Sequence, residues 1–334
     1  MSKLSISKAL NLALHQMMAA DETVIIIGED IVGGAGTEGG DALGGAFGVT
    51  SGLAAQFGKS RVIDTPISET AFMGMAIGAA ASGLKPVVEV MFCDFMGVCF
   101  DQILNQAAKM RFLSDGQVSL PLVIRTSMGA GDSSGAMHSQ SLHGLLASIP
   151  GLRVVCPSNA ADAAGLLKSA LADPNPVVML EHKGLYDAES EVDASLPAVP
   201  LGQGKIVLEG DAVTIVAVSA MVPVASKAAQ ELAGEGIKVE VIDPRSIAPL
   251  DTDLITTSLQ KTGRLIVVDE GAAYGGFADM VIAEMARSAF QHFKAAPIKI
   301  TPPHTPVPYA PSLESDWLPA TGDITKAVRE LLHG

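Results

Sequence analysis

The segment Asp64-Thr65-Pro66-Ile67-Ser68-Glu69-Thr70 follows directly on a β-branched run, Arg61–Ile63. A hydroxyl at Ser68 or Thr70 can cap a helix, and Glu69 then falls in its first turn. That turn lies at the carboxyl end of a strand, where open α/β sheets place their ligands. An acid there can do proton chemistry, or it can simply complement the helix dipole. Met137-His138-Ser139-Gln140-Ser141 follows the glycine-rich turn Gly129–Gly135, again after a strand. His138 and His143 are candidates for proton transfer near neutral pH, with a structural role as the alternative. Gly34-Ala35-Gly36-Thr37-Glu38-Gly39 has the spacing of a dinucleotide-binding loop. However, Glu29–Gly33 separates it from the strand, and further glycines stand where a helix should open. A flexible surface or interface loop is the competing reading. Cys93 and Cys99 match no zinc spacing and flank Phe95 in an apolar run, which suits buried thiols. The sequence contains no P-loop.

These residues need elements to hold them. Helix-spaced apolar residues run from Ser5 to Ala20, and Thr23–Ile27 reads as a buried strand. Further strands are expected at 61–63, 86–90, 122–125, 153–155 and 177–180, with helices near 70–83, 96–112, 140–148 and 159–172. Continuous β-branched runs are typical of parallel strands covered on both faces, so the alternation predicts an α/β doubly wound sheet. The helix near 70–83 carries Gly74, Gly78 and several alanines, which permit close approach of another helix or subunit, or plain core packing. Residues 188–204 hold Pro197, Pro200 and several acids without a period, and read as a linker. Alternation then resumes, with strands at 213–218, 239–242, 264–268 and 298–300 and helices at 221–233, 251–262 and 277–290. The resulting division is a domain over 1–190, a linker over 191–203, and a smaller α/β domain over 204–334.

Composition narrows the function. Against 36 acids there are 22 bases, a net charge of −14. That disfavours nucleic-acid and anionic-membrane binding, since both call for a basic face. A hydrophobic fraction of 48% with only 17% charged residues supports large cores and large interfaces. Three cysteines without a pairing pattern point to a reducing, cytoplasmic setting. The apolar run Ala71–Leu84 is too short and glycine-rich to span a bilayer.

Ordered segments along nearly the whole chain resemble one family. They are Gly28-Glu29-Asp30, Arg61–Glu69, Phe100-Asp101-Gln102-Ile103, His138-Ser139-Gln140, Pro150–Val155, Val268-Asp269-Glu270 and Ser315–Pro319. The family is the β subunit of thiamine-diphosphate-dependent dehydrogenases of 2-oxoacid and acetoin complexes. The resemblance implies a pyrimidine-binding domain followed by a transketolase-like C-terminal domain. By position, it makes Glu69 the acid that hydrogen-bonds N1′ of the aminopyrimidine and Glu29 a second acid near that ring. Phe95 would stack on the pyrimidine, and Ile67 and Met91 would line the pocket. His138 would serve acyl transfer onto a lipoyl group. Leu122, Ala170, Leu171, Asp173 and Asn175 align with a potassium site built largely from main-chain carbonyls.

The family's Gly-Asp-Gly…Asn-Asn motif for Mg²⁺ is missing. Gly131-Asp132, Gly210-Asp211 and Gly322-Asp323 are each followed by another residue, and no two asparagines are adjacent. The diphosphate and its Mg²⁺ would then belong to an α subunit in an α2β2 assembly. The longer loop after Glu29, ending Gly44–Thr50, together with Phe95–Gln102, looks most like acetoin dehydrogenase. A pyruvate or branched-chain 2-oxoacid enzyme remains the alternative. The C-terminal domain is expected to dock the lipoyl acyltransferase core, and a purely non-catalytic docking subunit is the competing class.

Overall fold

The computed structural model describes residues 2–32 and 44–333. The loop pattern Gly34–Gly39 lies outside them. The chain divides into two compact units, Met1–Met128 with Ser148–Leu201, and Gly129–Ala147 with Gly202–Gly334. By contacts, therefore, the segment after Met128 groups with the C-terminal part of the chain.

In the first unit six strands run parallel among the described residues. Their order is Arg153–Val155, Val177–His182, Val123–Met128, Lys85–Phe92, Val24–Glu29 and Val62–Thr65. Val123–Met128 and Val177–His182 are buried throughout, which is why their sequences show no polar alternation. Helix Ile6–Ala20 starts at Ser5, whose hydroxyl accepts from Lys8 N, and packs on helix Ala160–Ala172, capped by Asn159 through Asp162 N. The helix expected over 96–112 is instead a 3₁₀ turn Cys93–Gly97, a π segment Gln102–Ala107 and an α segment Ala108–Leu113. The buried positions explain this. Cys93, Met96 and Cys99 recur every third residue, then Ile103 and Ala107 every fourth, so the winding loosens with the spacing.

The stretch read as a linker is ordered. Glu189–Val192 pairs antiparallel with Ser2–Ser5. Val199 N then donates to Gly165 O (3.1 Å), and Lys168 Nζ donates to Ser195 O (2.9 Å). A Cβ at Gly165 would sit 2.5 Å from Val199 Cγ2, so the missing side chain lets this segment lie along the helix.

In the second unit the sheet order is Ile298–Ile300, Leu265–Val268, Val213–Ala217, Val239–Asp243 and Lys205–Leu208. All are parallel except the last. Val213, Ile215, Val241 and Ile266 pack with Leu232 of helix Met221–Ala233 and Val328 of helix Thr321–His333. Thr214 alternates to the opposite face, where its hydroxyl bonds Ser258 (2.6 Å) and Thr262 (2.7 Å) on helix Thr252–Thr262. No helix among the described residues is long and apolar enough to cross a membrane.

Candidate active site

Three adjacent parallel strands bring five of the expected site residues to one edge. Glu29 ends the strand Val24–Glu29 and stands in register with Thr65, the last residue of Val62–Thr65. Ile67 lies in the turn that follows, and Glu69 opens helix Glu69–Ala81. Met91 lies near the carboxyl end of Lys85–Phe92, and Phe95 occupies the turn just beyond. Parallel register puts all of these at the same rim of the sheet, which sequence spacing alone could only suggest.

Glu69 is 8% exposed, while Ile67 is 78% exposed. Neither hydroxyl caps the helix. Ser68 Oγ donates to Pro66 O (3.1 Å), and Thr70 Oγ1 donates to Val98 O (2.8 Å), which ties the helix start to the Phe95 turn. Glu69 is thus a first-turn acid at a helix end without a side-chain cap. The Phe95 ring meets Phe92 edge-on, with centroids 5.8 Å apart. Asp64 Oδ1 accepts from Ile31 N (2.9 Å) and fixes the chain just past Glu29. Burial pushes the Glu29 carboxyl above its usual range, and the charges of Asp30, Glu69 and Asp64 push the same way. Thr65 Oγ1 is buried there with no partner, an orphaned hydroxyl that a bound molecule could satisfy.

An aminopyrimidine fits this rim: it offers ring nitrogens to carboxyl groups and a flat apolar face to Phe95 and Met91. A diphosphate does not fit, because four acids would repel it. Among the described residues no group of three or more His, Cys, Asp or Glu could hold a metal.

Behind Met91 lies a charge network that the sequence reading missed. Arg125, 2% exposed, donates from Nε and Nη2 to the two oxygens of Glu181 (2.8 and 2.6 Å) and from Nη1 to Glu89 (2.8 Å). Tyr186 donates to Glu181 (2.8 Å), and Phe47 stacks on Tyr186 with centroids 4.4 Å apart. Glu89 and Arg125 each interrupt an apolar strand run and Glu181 ends another, so the only available signal was a charged residue in each of three strands.

The residues aligned with a potassium site gather where helix Ala160–Ala172 turns toward strand Val177–His182. Asp173 Oδ1 accepts from Asn175 N (2.9 Å) and Nδ2 (2.7 Å), and its Oδ2 pairs with Arg153 Nε at 2.7 Å. Ala170 O accepts from Asp173 N, and Leu122 O accepts from Val177 N. Leu171 is buried beside them. Each carbonyl keeps a second lone pair, so a hard monovalent cation is chemically compatible with the turn.

His138 belongs to the second unit. It is half-buried, and its amide donates to Gly135 O (3.2 Å). The other candidate, His143, is 1% exposed and lies 2.8 Å from Asp269 Oδ1, so it is a core residue.

Comparison with known proteins places these sites in context. Residues 2–189 match the family model described as transketolase, pyrimidine binding domain, and residues 202–324 match transketolase, C-terminal domain. The chain is 49% identical over 333 residues to the β subunit of acetoin:2,6-dichlorophenolindophenol oxidoreductase from Cupriavidus necator, covering 99% of this chain and 98% of that protein. It is 47% identical to the protein of the same name from Bacillus subtilis, covering 98% and 97%. It is 40% identical to the β subunit of the pyruvate dehydrogenase E1 component of Rickettsia conorii, covering 99% of each. A solved split-gene transketolase, described as an inactive β4 tetramer, shares the fold with a TM-score of 0.78 at 23% identity, covering 98% of each chain.

Proposed function

The chain belongs to the family of β subunits shared by acetoin:2,6-dichlorophenolindophenol oxidoreductases and pyruvate dehydrogenase E1 components, and from that premise we propose that it is the β subunit of an acetoin-cleaving enzyme. In this reading it works in an α2β2 tetramer with thiamine diphosphate, and the acetyl unit passes to the lipoyl group of an acyltransferase. The observation that carries the reading is the carboxylate rim, with Glu69 buried at a helix start, Glu29 at the adjacent strand end in register with Thr65, and Thr65 Oγ1 unsatisfied.

When bound, the cofactor supplies a carbon nucleophile and an electron sink for breaking the C–C bond of the substrate. Glu69 would hold N1′ of the pyrimidine through its carboxyl group, with Glu29 as the second acid of the same rim. Phe95 and Met91 exclude water from the ring, and Ile67 lines the approach. The α subunit holds Mg²⁺ and the diphosphate. Ile67, Met75 and Val98 are exposed apolar side chains on or near the Glu69 helix, which suits burial by a partner. His138 moves a proton as the lipoyl disulfide is reduced and acylated. The turn around Asp173 and Asn175 holds K⁺, and the C-terminal domain docks the acyltransferase core. Pyruvate is the second reading, supported by relatives at 40% identity.

Co-purification with its α chain, followed by assay with acetoin and pyruvate side by side, tests the reading. Glu69→Gln should leave assembly intact and lower turnover about 10²–10⁴-fold, the usual worth of a positioned acid–base group. Normal rates in the assembled Glu69→Gln tetramer would remove Glu69 from the chemistry.

A further inference from the structure

The loop that carries His138 is gripped by acids from far along the chain. Glu314, 3% exposed in helix Pro311–Trp317, takes one amide on each carboxylate oxygen. Oε1 accepts from Gly131 N (2.8 Å) and Oε2 from Ser133 N (2.8 Å), with Ser133 Oγ at 3.3 Å. Gly131 (φ 112°) and Ser133 (φ 59°) are both left-handed, a conformation that turns alternate amides toward a single anion. Glu270 spans the two ends of the loop: its Oε1 accepts from Ala130 N (2.6 Å) and Ser141 Oγ (3.4 Å). Gly129 N donates to Gln140 O (3.0 Å) and closes the neck. Just past the loop, His143 pairs with Asp269 at 2.8 Å, and Asp269 Oδ1 also accepts from Gly271 N (2.9 Å).

We propose that Glu314 is a positioning residue for His138: together with Glu270 and the Asp269–His143 pair, it locks loop 129–141 in the form that presents the imidazole for acyl transfer to the lipoyl group. The proposal rests on the assignment of His138 to that step. Glu314 acts through the loop backbone. A carboxylate is the acceptor these amides require, because both of its oxygens meet an N–H and neither has to donate. Glutamine at this position keeps the volume but turns an NH₂ toward one of the two amides, so donor faces donor. Aspartate keeps both acceptors on a shorter stem. A misplacement of about 1 Å costs on the order of 10²-fold in rate, so loosening the clamp should show in the step that uses His138.

The test uses the assembled tetramer and two acceptors, the lipoyl domain of the acyltransferase and the dye 2,6-dichlorophenolindophenol. Glu314→Gln should slow lipoyl acylation about 10²-fold while dye reduction and KM for acetoin hold, and Glu314→Asp should restore part of the loss. Equal loss with both acceptors overturns the proposal. In a His138→Ala background Glu314→Gln should add nothing further to lipoyl acylation, since no imidazole is left to position; an additive loss overturns it. Hydrogen exchange reads the clamp directly. Gly131 and Ser133 amides should exchange faster in Glu314→Gln, with strand Val213–Ala217 still protected; unchanged loop amides, or a general loss of protection, overturn it. If His138→Ala itself leaves lipoyl acylation intact, the assignment of His138 fails and takes the proposal with it. If His138→Ala depresses that step and Glu314→Gln does not, the clamp alone is wrong.

Discussion

Replacing Arg125 with methionine strips the counter-ion from the charge network behind Met91. Methionine fills a comparable volume but leaves Glu89 and Glu181 buried without a cation. Removing one partner from a buried ion pair costs about 3–5 kcal/mol, because the remaining charge stays in a medium of low polarity. Here two carboxylates lose the same guanidinium, along with three hydrogen bonds. The upper half of that range, about 4–5 kcal/mol, is therefore expected. That is a large share of the roughly 5–15 kcal/mol that holds a folded protein together. Urea unfolding followed by circular dichroism, on parent and variant in the same buffer, measures it. The loss should also depend on pH. Burial already raises the Glu89 carboxyl above its ordinary 4.5, with Arg125 opposing, and without Arg125 it rises further. A raised carboxyl gives its full stabilisation below the unfolded value and loses it as pH climbs through the folded one. The deficit of the variant should therefore shrink toward pH 4.5 and widen toward neutrality. Converting Glu89 and Glu181 to glutamine in the same chain should recover part of it, because no ionised group is then left buried without a partner. A loss below about 1 kcal/mol, the scale of a surface pair, or a deficit indifferent to pH refutes the reasoning.

Three further outcomes are expected. Gly144→Ala places a Cβ 2.8 Å from Phe277 N and 3.1 Å from Gly276 Cα, both backbone atoms, so calorimetry should show a loss of about 1–3 kcal/mol; an unchanged Tm contradicts this. For His143, burial pulls the imidazole down, but the Asp269 charge and hydrogen bond outweigh it and hold it above 6.5, while Asp269 itself is held low despite its burial. Their contribution is thus complete between 3.8 and 6.5, is lost as pH falls through the lowered carboxyl value, and fades as pH rises through the raised imidazole value. The stability gap to His143→Gln should narrow in alkali, and a constant gap tells against the pair. Cys93, Cys99 and Cys156 are all buried, and burial, with the Glu69 charge, pushes the Cys99 thiol up to about 12. A thiol reagent at neutral pH should label them promptly only after denaturation, and fast labelling of the native chain breaks the argument.

The sequence by itself determined the strand–helix alternation, because continuous β-branched runs and helix-spaced apolar residues record what each element buries. It also placed Glu69 and Glu29 beside strand ends. Local readings failed where a partner distant in sequence decides the conformation. The four residues Glu189–Val192 carry no period of their own and become a strand only against Ser2–Ser5. The 93–113 run changes its winding to suit its buried positions. Only the tertiary structure decided that Glu29, Thr65, Ile67, Glu69, Met91 and Phe95 share one rim, because parallel register aligns strand ends that lie tens of residues apart. It alone showed that Arg125 answers Glu89 and Glu181, and that Glu270 and Glu314 hold the His138 loop more than a hundred residues before them. Hydrophobic pattern reports which face of an element is buried. Which charge meets which across a core is settled by the geometry of packing, and that leaves no mark on neighbouring residues.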